Sequence, residues 1–225
     1  MTGHARTQRT GADAGPVRDV VRRLPEKQVQ SVHERDNVLA AGLVAHVGIA
    51  DAGQPYVLPV AYAPWRDGVV FHGSTASRLF KALAAGAPTC FTVTLLDGLV
   101  AARSAFESSM EYRSAMLFGS CVRLAGADHD DSLRAITEHL LPQRWSQIRP
   151  PSPQENKATM VLYLQPETWS LKVGAGFAED SEADLDEYAG VWAGRVPLRL
   201  VPGVPEADPH ARGLPVPSYV AQWCR

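Results

Sequence analysis

Short runs of apolar and β-branched residues, broken by Gly, Asp and Pro, dominate the middle of this chain. Leu43 to Ile49, Pro55 to Ala63 and Gly68 to His72 predict three strands. Turns at Asp51-Ala52-Gly53-Gln54 and Trp65-Arg66-Asp67-Gly68 fold them into a meander. Thr89 to Leu96 and Tyr112 to Leu124 predict a pair of longer strands, with a turn at Asp97-Gly98 between them. Thr159 to Leu164 and Thr168 to Val173 complete a β-barrel core. The spacing becomes helical over Ser31 to Ala41, with Val32, Val38 and Leu39 as contacts, and over Ser77 to Ala85, with Leu79, Phe80 and Leu83. Gly86 and Pro88 stop the second helix. Asp131 to Leu141 predicts a third, and Pro150-Pro151-Ser152-Pro153 a loop.

Composition places this pattern in one domain. A chain of 225 residues with 45% hydrophobic content buries a sizeable core without a second domain. Residues 1–16, polar and rich in Gly, are expected to be disordered, residues 17–200 to form the domain, and the Pro-rich stretch 201–225 to extend over its surface. The net charge of −2 gives no general attraction to nucleic acid or anionic membranes, so basic residues are read locally. Neither a signal peptide nor a membrane span is visible, and a cytoplasmic location is expected. Cys90, Cys121 and Cys224 lack any Cys-x-x-Cys spacing, and the seven histidines lack His-x-x-x-His, so neither a disulfide framework nor a metal site is expected. Gly174-Ala175-Gly176 is followed by acidic residues rather than an apolar helix, which excludes a dinucleotide-binding turn.

Chemistry concentrates between Val70 and Leu83. There an apolar strand runs through His72 and Gly73 into Ser74, Thr75, Ser77 and Arg78, where a helix begins. Free amides, hydroxyls and a guanidinium suit an anion such as phosphate, although hydroxyls at a helix start also serve as plain caps. Arg113, between Tyr112 and Ser114, offers a second cation, with a salt bridge to Glu107 or Glu111 as its simpler use. Trp145 and Trp169 can cover a planar ligand, while Trp192 is expected in the core.

Three stretches together resemble a known family. They are Phe71-His72-Gly73-Ser74-Thr75-Ala76-Ser77-Arg78, the run from Val93 through Leu96-Asp97-Gly98-Leu99 to Phe106, and Tyr112-Arg113-Ser114 before Phe118-Gly119. This order is similar to the flavin-binding split-barrel proteins, in the nitroimidazole-resistance-like branch of the relatives of pyridoxamine 5'-phosphate oxidase. The likeness extends from about Arg22 to Tyr219, with Leu24-Pro25-Glu26 near its start and Val191-Trp192-Ala193-Gly194 near its end.

That resemblance implies a mainly β (α+β) fold, a six-stranded antiparallel split β-barrel with a few flanking helices. It implies FMN as cofactor, contacted through the backbone of Tyr56, Leu58, Pro59 and Val60 and held by His72, Gly73, Ser74, Ser77, Arg78, Arg113 and Ser114. His72 borders the flavin and the substrate space, where it is the candidate catalytic proton donor. The implied assembly is a homodimer with two equivalent shared sites. The implied reaction passes electrons from NADH or NADPH to a small planar acceptor.

Two departures bear on activity. Where relatives carry two histidines and an asparagine ahead of Tyr-Arg-Ser, this chain has Glu107-Ser108-Ser109-Met110-Glu111, and Lys27 to Val32 replaces a Tyr-Asp pair. The cofactor side therefore matches better than the substrate side. Haem on the same barrel, with a histidine iron ligand, and a flavin-binding or regulatory protein without turnover stay open as alternatives.

Overall fold

In a computed structural model, which describes residues 20–224, the short strand β1 (Gln28–Val29) and helix α1 (Val32–Ala41) lead into the expected meander. Its strands are β2 (Val44–Asp51), β3 (Gln54–Trp65) and β4 (Gly68–Ser74). Then come α2 (Arg78–Ala84), β5 (Thr89–Ala101), β6 (Ser109–Gly119), β7 (Cys121–Arg123) and α3 (Ala127–Leu140). The chain continues through α4 (Pro153–Ala158), β8 (Thr159–Leu164), β9 (Thr168–Gly174), α5 (Glu182–Glu187), β10 (Gly194–Pro197) and α6 (Ser218–Ala221). The expected disorder at 1–16 falls outside the described residues.

All strands pair antiparallel in the order β1-β9-β6-β5-β2-β3-β4-β8-β7, with β10 added on β5. The fold is mainly β, but among the described residues it has ten strands rather than six, and no ladder there joins β1 to β7 to close a barrel. Strands β1, β7 and β10 hold two, three and four residues, too short to carry a legible alternation.

The architecture turns on β3. Its first part, Gln54–Ala61, pairs with β2, and its last part, Tyr62–Trp65, pairs with β4. Below the Tyr62–Phe71 pair β4 keeps only β8 as a neighbour, so the sheet splits there. The core fills the space between the halves. Tyr62, Phe71 and Phe91 are fully buried, with ring centroids 5.2 Å apart for Tyr62–Phe91 and 5.7 Å for Phe71–Phe91. The Tyr62 hydroxyl donates to the Leu39 carbonyl at 2.7 Å, which ties α1 to the core. A second, smaller cluster of Val70, Val161, Leu133 and Ile136 lies beneath α3.

Several expectations are corrected. The long strand from Tyr112 to Leu124 is two strands, because the chain crosses from one half of the sheet to the other at Gly119-Ser120. A side chain at Gly119 would sit 3.0 Å from the Gln165 carbonyl oxygen. Asp97-Gly98 is no turn but a bulge inside β5, where the register against β6 shifts between Leu96 and Gly98. Pro153 begins α4 instead of continuing a loop. Ser152 and Glu155 form a reciprocal capping box, and proline fits the first helical position. Trp192 is 67% exposed rather than core.

Candidate functional site

The split leaves the edge of β3 below Tyr62 without a strand on the side facing away from β2. Its backbone donors and acceptors are therefore available to a ligand. Tyr56 and Val60 pack half-buried on the core, while Leu58 and Pro59 are exposed.

Beside this edge the chain passes from β4 through Ser74–Ser77 into α2. Ser77 caps α2 by accepting from the Phe80 amide at 3.5 Å, and Ser74 Oγ accepts from the Ala76 amide at 3.1 Å. Each hydroxyl keeps its own proton to donate. Thr75 differs, since its hydroxyl donates to the Ala158 carbonyl at 3.2 Å. Phe80 fills the split behind the turn, 5.7 Å from the Phe71 centroid. Gly73 is required here because a Cβ would come within 2.3 Å of the Phe80 ring.

The two cations read from the sequence have unlike surroundings. Arg78 is exposed, lies 4.4 Å over the Tyr56 ring and reaches Asp51 only at 3.8 Å. Its fork is open to a ligand. Arg113 is held by both oxygens of Asp97, Nε donating at 2.8 Å and Nη2 at 2.7 Å. That bond, and not a salt bridge to Glu107 or Glu111, raises its pKa. Ser114 lies on the opposite face of β6, 3.1 Å from Thr94 Oγ1.

His72 shares a face of β4 with Val70, toward α3, and Phe71 and Gly73 face the core. Solvent reaches the imidazole, yet the protein mass around it, and after that the nearby His129, hold its pKa below the ordinary histidine value. The structure thus groups Tyr56, Leu58, Pro59, Val60, Gly73, Ser74, Ser77 and Arg78 around the split. Arg113 and Ser114 belong to a neighbouring strand with partners of their own.

Sequence reasoning missed the acidic residues. Glu111, 4% exposed, accepts from the Gly176 amide at 3.0 Å and pairs with Arg195 at 3.0 Å. Arg103 pairs with Asp180 at 2.8 Å. These contacts bind the loops around the β5–β6 connection, so the segment that departs from the family pattern has a structural use of its own. Only the strand register, which brings Arg113 opposite Leu95, would have revealed the Asp97 partner. Among the described residues no three His, Cys, Asp or Glu side chains gather to hold a metal ion, and no helix is long and apolar enough to cross a membrane.

The family model described as pyridoxamine 5'-phosphate oxidase matches residues 31–173, and the chain belongs to that family. A structure described as the FAD and heme binding protein from Mycobacterium smegmatis is 40% identical, with 86% of this chain and 95% of that one covered and a TM-score of 0.82. The flavocytochrome Anf3 from Azotobacter vinelandii is 37% identical, with 91% and 95% covered and a TM-score of 0.83. A protein named for 5-nitroimidazole antibiotic resistance, from Bacteroides thetaiotaomicron, is 20% identical over 65% of this chain and 86% of its own, with a TM-score of 0.56, a likeness of fold. No curated protein matches in sequence.

Proposed function

We propose that this chain is a flavin-binding redox protein whose cofactor lies in the β3–β4 split, its ring edge on the backbone of Tyr56–Val60 and its phosphate at Ser74, Ser77 and Arg78. The observation that carries this reading is the unpaired strand edge beside an exposed arginine, held only by a 3.8 Å contact to Asp51, and two hydroxyls with protons to donate. An isoalloxazine presents alternating donors and acceptors, which suit a strand edge, and a guanidinium suits phosphate. FMN satisfies these contacts, and so does the FMN half of FAD, the flavin named for the Mycobacterium smegmatis relative. Arg113, its fork filled by Asp97, positions β5 against β6 rather than holding phosphate.

The flavin supplies the electron chemistry, and the protein orients it and limits water. Electrons pass from NADH or NADPH to a small planar acceptor, in a homodimer with two equivalent sites. Oxidation of neither nicotinamide by flavin-loaded protein would end this donor assignment. A cofactor-loaded monomer in light scattering would end the dimer.

A second reading adds haem beside the flavin. The Mycobacterium smegmatis relative is described as an FAD and heme binding protein, and the Azotobacter vinelandii relative as a flavocytochrome. In this chain His72 has an exposed imidazole whose lowered pKa favours the neutral form that ligates iron. The absorption spectrum of the purified protein tests both readings. Flavin bands support the first, and a Soret band that His72→Ala abolishes while flavin bands persist supports the second. A colourless protein that takes up neither cofactor refutes both.

A further inference from the structure

The chain leaves the sheet at Pro197, the last residue of β10, and is packed again at α6. Between them Leu198 to Pro217 form an arm tied down at both ends. At its root β10 pairs with Gly98–Ala101 of β5, and the Leu198 amide donates to the Asp97 carbonyl at 2.9 Å. At its far end the buried Tyr219 hydroxyl donates to Gln147 Oε1 at 3.2 Å and accepts from Arg144 Nη1 at 3.1 Å, while Trp223 Nε1 donates to the Leu140 carbonyl at 2.9 Å. The family model ends at residue 173, so the arm, β10 and α6 are additions to the split-barrel domain.

A solvated connection of this length would be polar. This one is not. Every residue from Arg195 to His210 is exposed, yet Val201 is 77% and Val204 89% exposed, and Leu200 and Leu214 also face solvent. From Arg199 to Ala207 no backbone amide finds an acceptor within the chain among the described residues. Pro202, Pro205, Pro209 and Pro215 fix their own φ angles and bring no donors, so the arm is held extended instead of folding onto itself. The apolar surface continues at the root of the arm. Val196 lies opposite Leu99, and Leu99 opposite Met110, a row across β10, β5 and β6 in which each side chain is about half exposed. Contiguous apolar surface of this kind marks an interface.

Charge selects the occupant. The arm carries Arg199 and Arg212 against Glu206 and Asp208, and none of the four is ion-paired among the described residues. Nucleic acid or an anionic membrane calls for an excess of cations, which neither the arm nor the chain, with its net charge of −2, provides. A segment that is apolar and charge-balanced is complementary to itself, as a two-fold contact requires. Arm and row together supply about the 20 to 30 residues a side that a standard interface uses.

We propose that the arm and the adjoining row pack on a second copy of this chain, burying Leu200, Val201, Val204 and Leu214 between the two protomers. This rests on the homodimer proposed above and assigns its clamp to residues outside the split barrel.

The test is sedimentation equilibrium of the full chain and of the variant Leu200→Ser/Val201→Ser/Val204→Ser/Leu214→Ser. All four side chains are exposed in the single chain, so its folding is not at risk. The variant's dimer dissociation constant is expected to rise at least about a hundredfold, since each lost contact alone is worth about tenfold. Hydrogen exchange of the parent gives a second reading that needs no variant. The amides from Arg199 to Ala207 should exchange as in a free chain at high dilution and at least about tenfold more slowly once the dimer forms. A parent dimer that the four substitutions leave unchanged, or whose arm amides exchange freely, overturns the proposal and leaves the dimer itself standing. A parent that is monomeric at every concentration overturns both. Protection of the arm that appears only on adding phosphatidylserine vesicles gives the arm to a lipid surface and likewise overturns the proposal.

Discussion

At the β3–β4 split the sheet gives up its pairing and is closed by an aromatic wedge; around the β5–β6 connection it keeps its pairing and is closed by charge. The wedge is Phe80, 5% exposed, seated on Phe71 and against Gly73. The other end is held by Arg113–Asp97, Arg195–Glu111 and Arg103–Asp180. An apolar seal leaves polar groups beside it uncommitted, whereas an ionic seal neutralises the groups that would otherwise attract a ligand. This is why we assign the proposed flavin phosphate to Arg78 rather than to Arg113, although the sequence offered both as cations.

The largest effect that sharpens the contrast is on stability at the split. Phe80→Ala is expected to cost about 3 to 5 kcal/mol, as for other large aromatic side chains removed from a core. Urea unfolding measures it, and the loss should be insensitive to salt. A cost below about 1 kcal/mol would show that the wedge does not hold the split closed.

Next in size is flavin affinity. Arg78→Ala is expected to weaken FMN by about 1.5 to 3 kcal/mol, the usual worth of a charge-assisted contact, while riboflavin, lacking the phosphate, binds as before. Arg113→Ala should weaken FMN far less. Fluorescence titration compares the two, and the reverse order would return the phosphate to Arg113.

How much of this was legible follows from how far each signal reaches along the chain. The meander, α1 and α2 were readable because period and turn residues are local, and Leu79, Phe80 and Leu83 are indeed buried. The split was not readable from periodicity, since β3 is one continuous run whose change of partner at Tyr62 is a long-range event. Gly98 carried a true signal that was misassigned. It marks a bulge rather than a turn because a Cβ there would lie 2.8 Å from Glu111 Oε2 and 3.1 Å from the Val196 carbonyl oxygen. The hydroxyls and Arg78 named from sequence lie together beside the β3 edge. The Asp97 partner of Arg113 needed strand register, and the Asp51 contact of Arg78 needed the packing of α2 on β2.

A smaller effect tests the ionic end. Asp97→Asn leaves Arg113 without its carboxylate, and because both side chains are more than a third exposed the cost is discounted to below about 1 kcal/mol. Thermal unfolding at low and high salt measures it. The difference from the parent should shrink as salt rises, since screening weakens such a pair in the parent. A salt-independent loss would mean that Asp97 acts through packing of the bulge instead.

The smallest effect compares the two ends by pH. His72 has a lowered pKa in the folded protein, from burial and then from His129, whereas in the unfolded chain it returns to about 6.5. Between those values the unfolded chain binds the extra proton, so stability rises with pH across that window. The contribution is fully present above about 6.5, is lost as the pH falls through the lower folded value, and changes no further below it. His72→Gln removes the titration. Its stability should therefore decline less than the parent's between about pH 7.5 and 5, the window that brackets an ordinary histidine. The Arg113–Asp97 pair sits between β5 and β6, away from His72 on β4, so Asp97→Asn should leave the slope unchanged. Urea midpoints across the range decide it, and equal slopes for His72→Gln and the parent would mean that solvent at the exposed ring outweighs the protein around it.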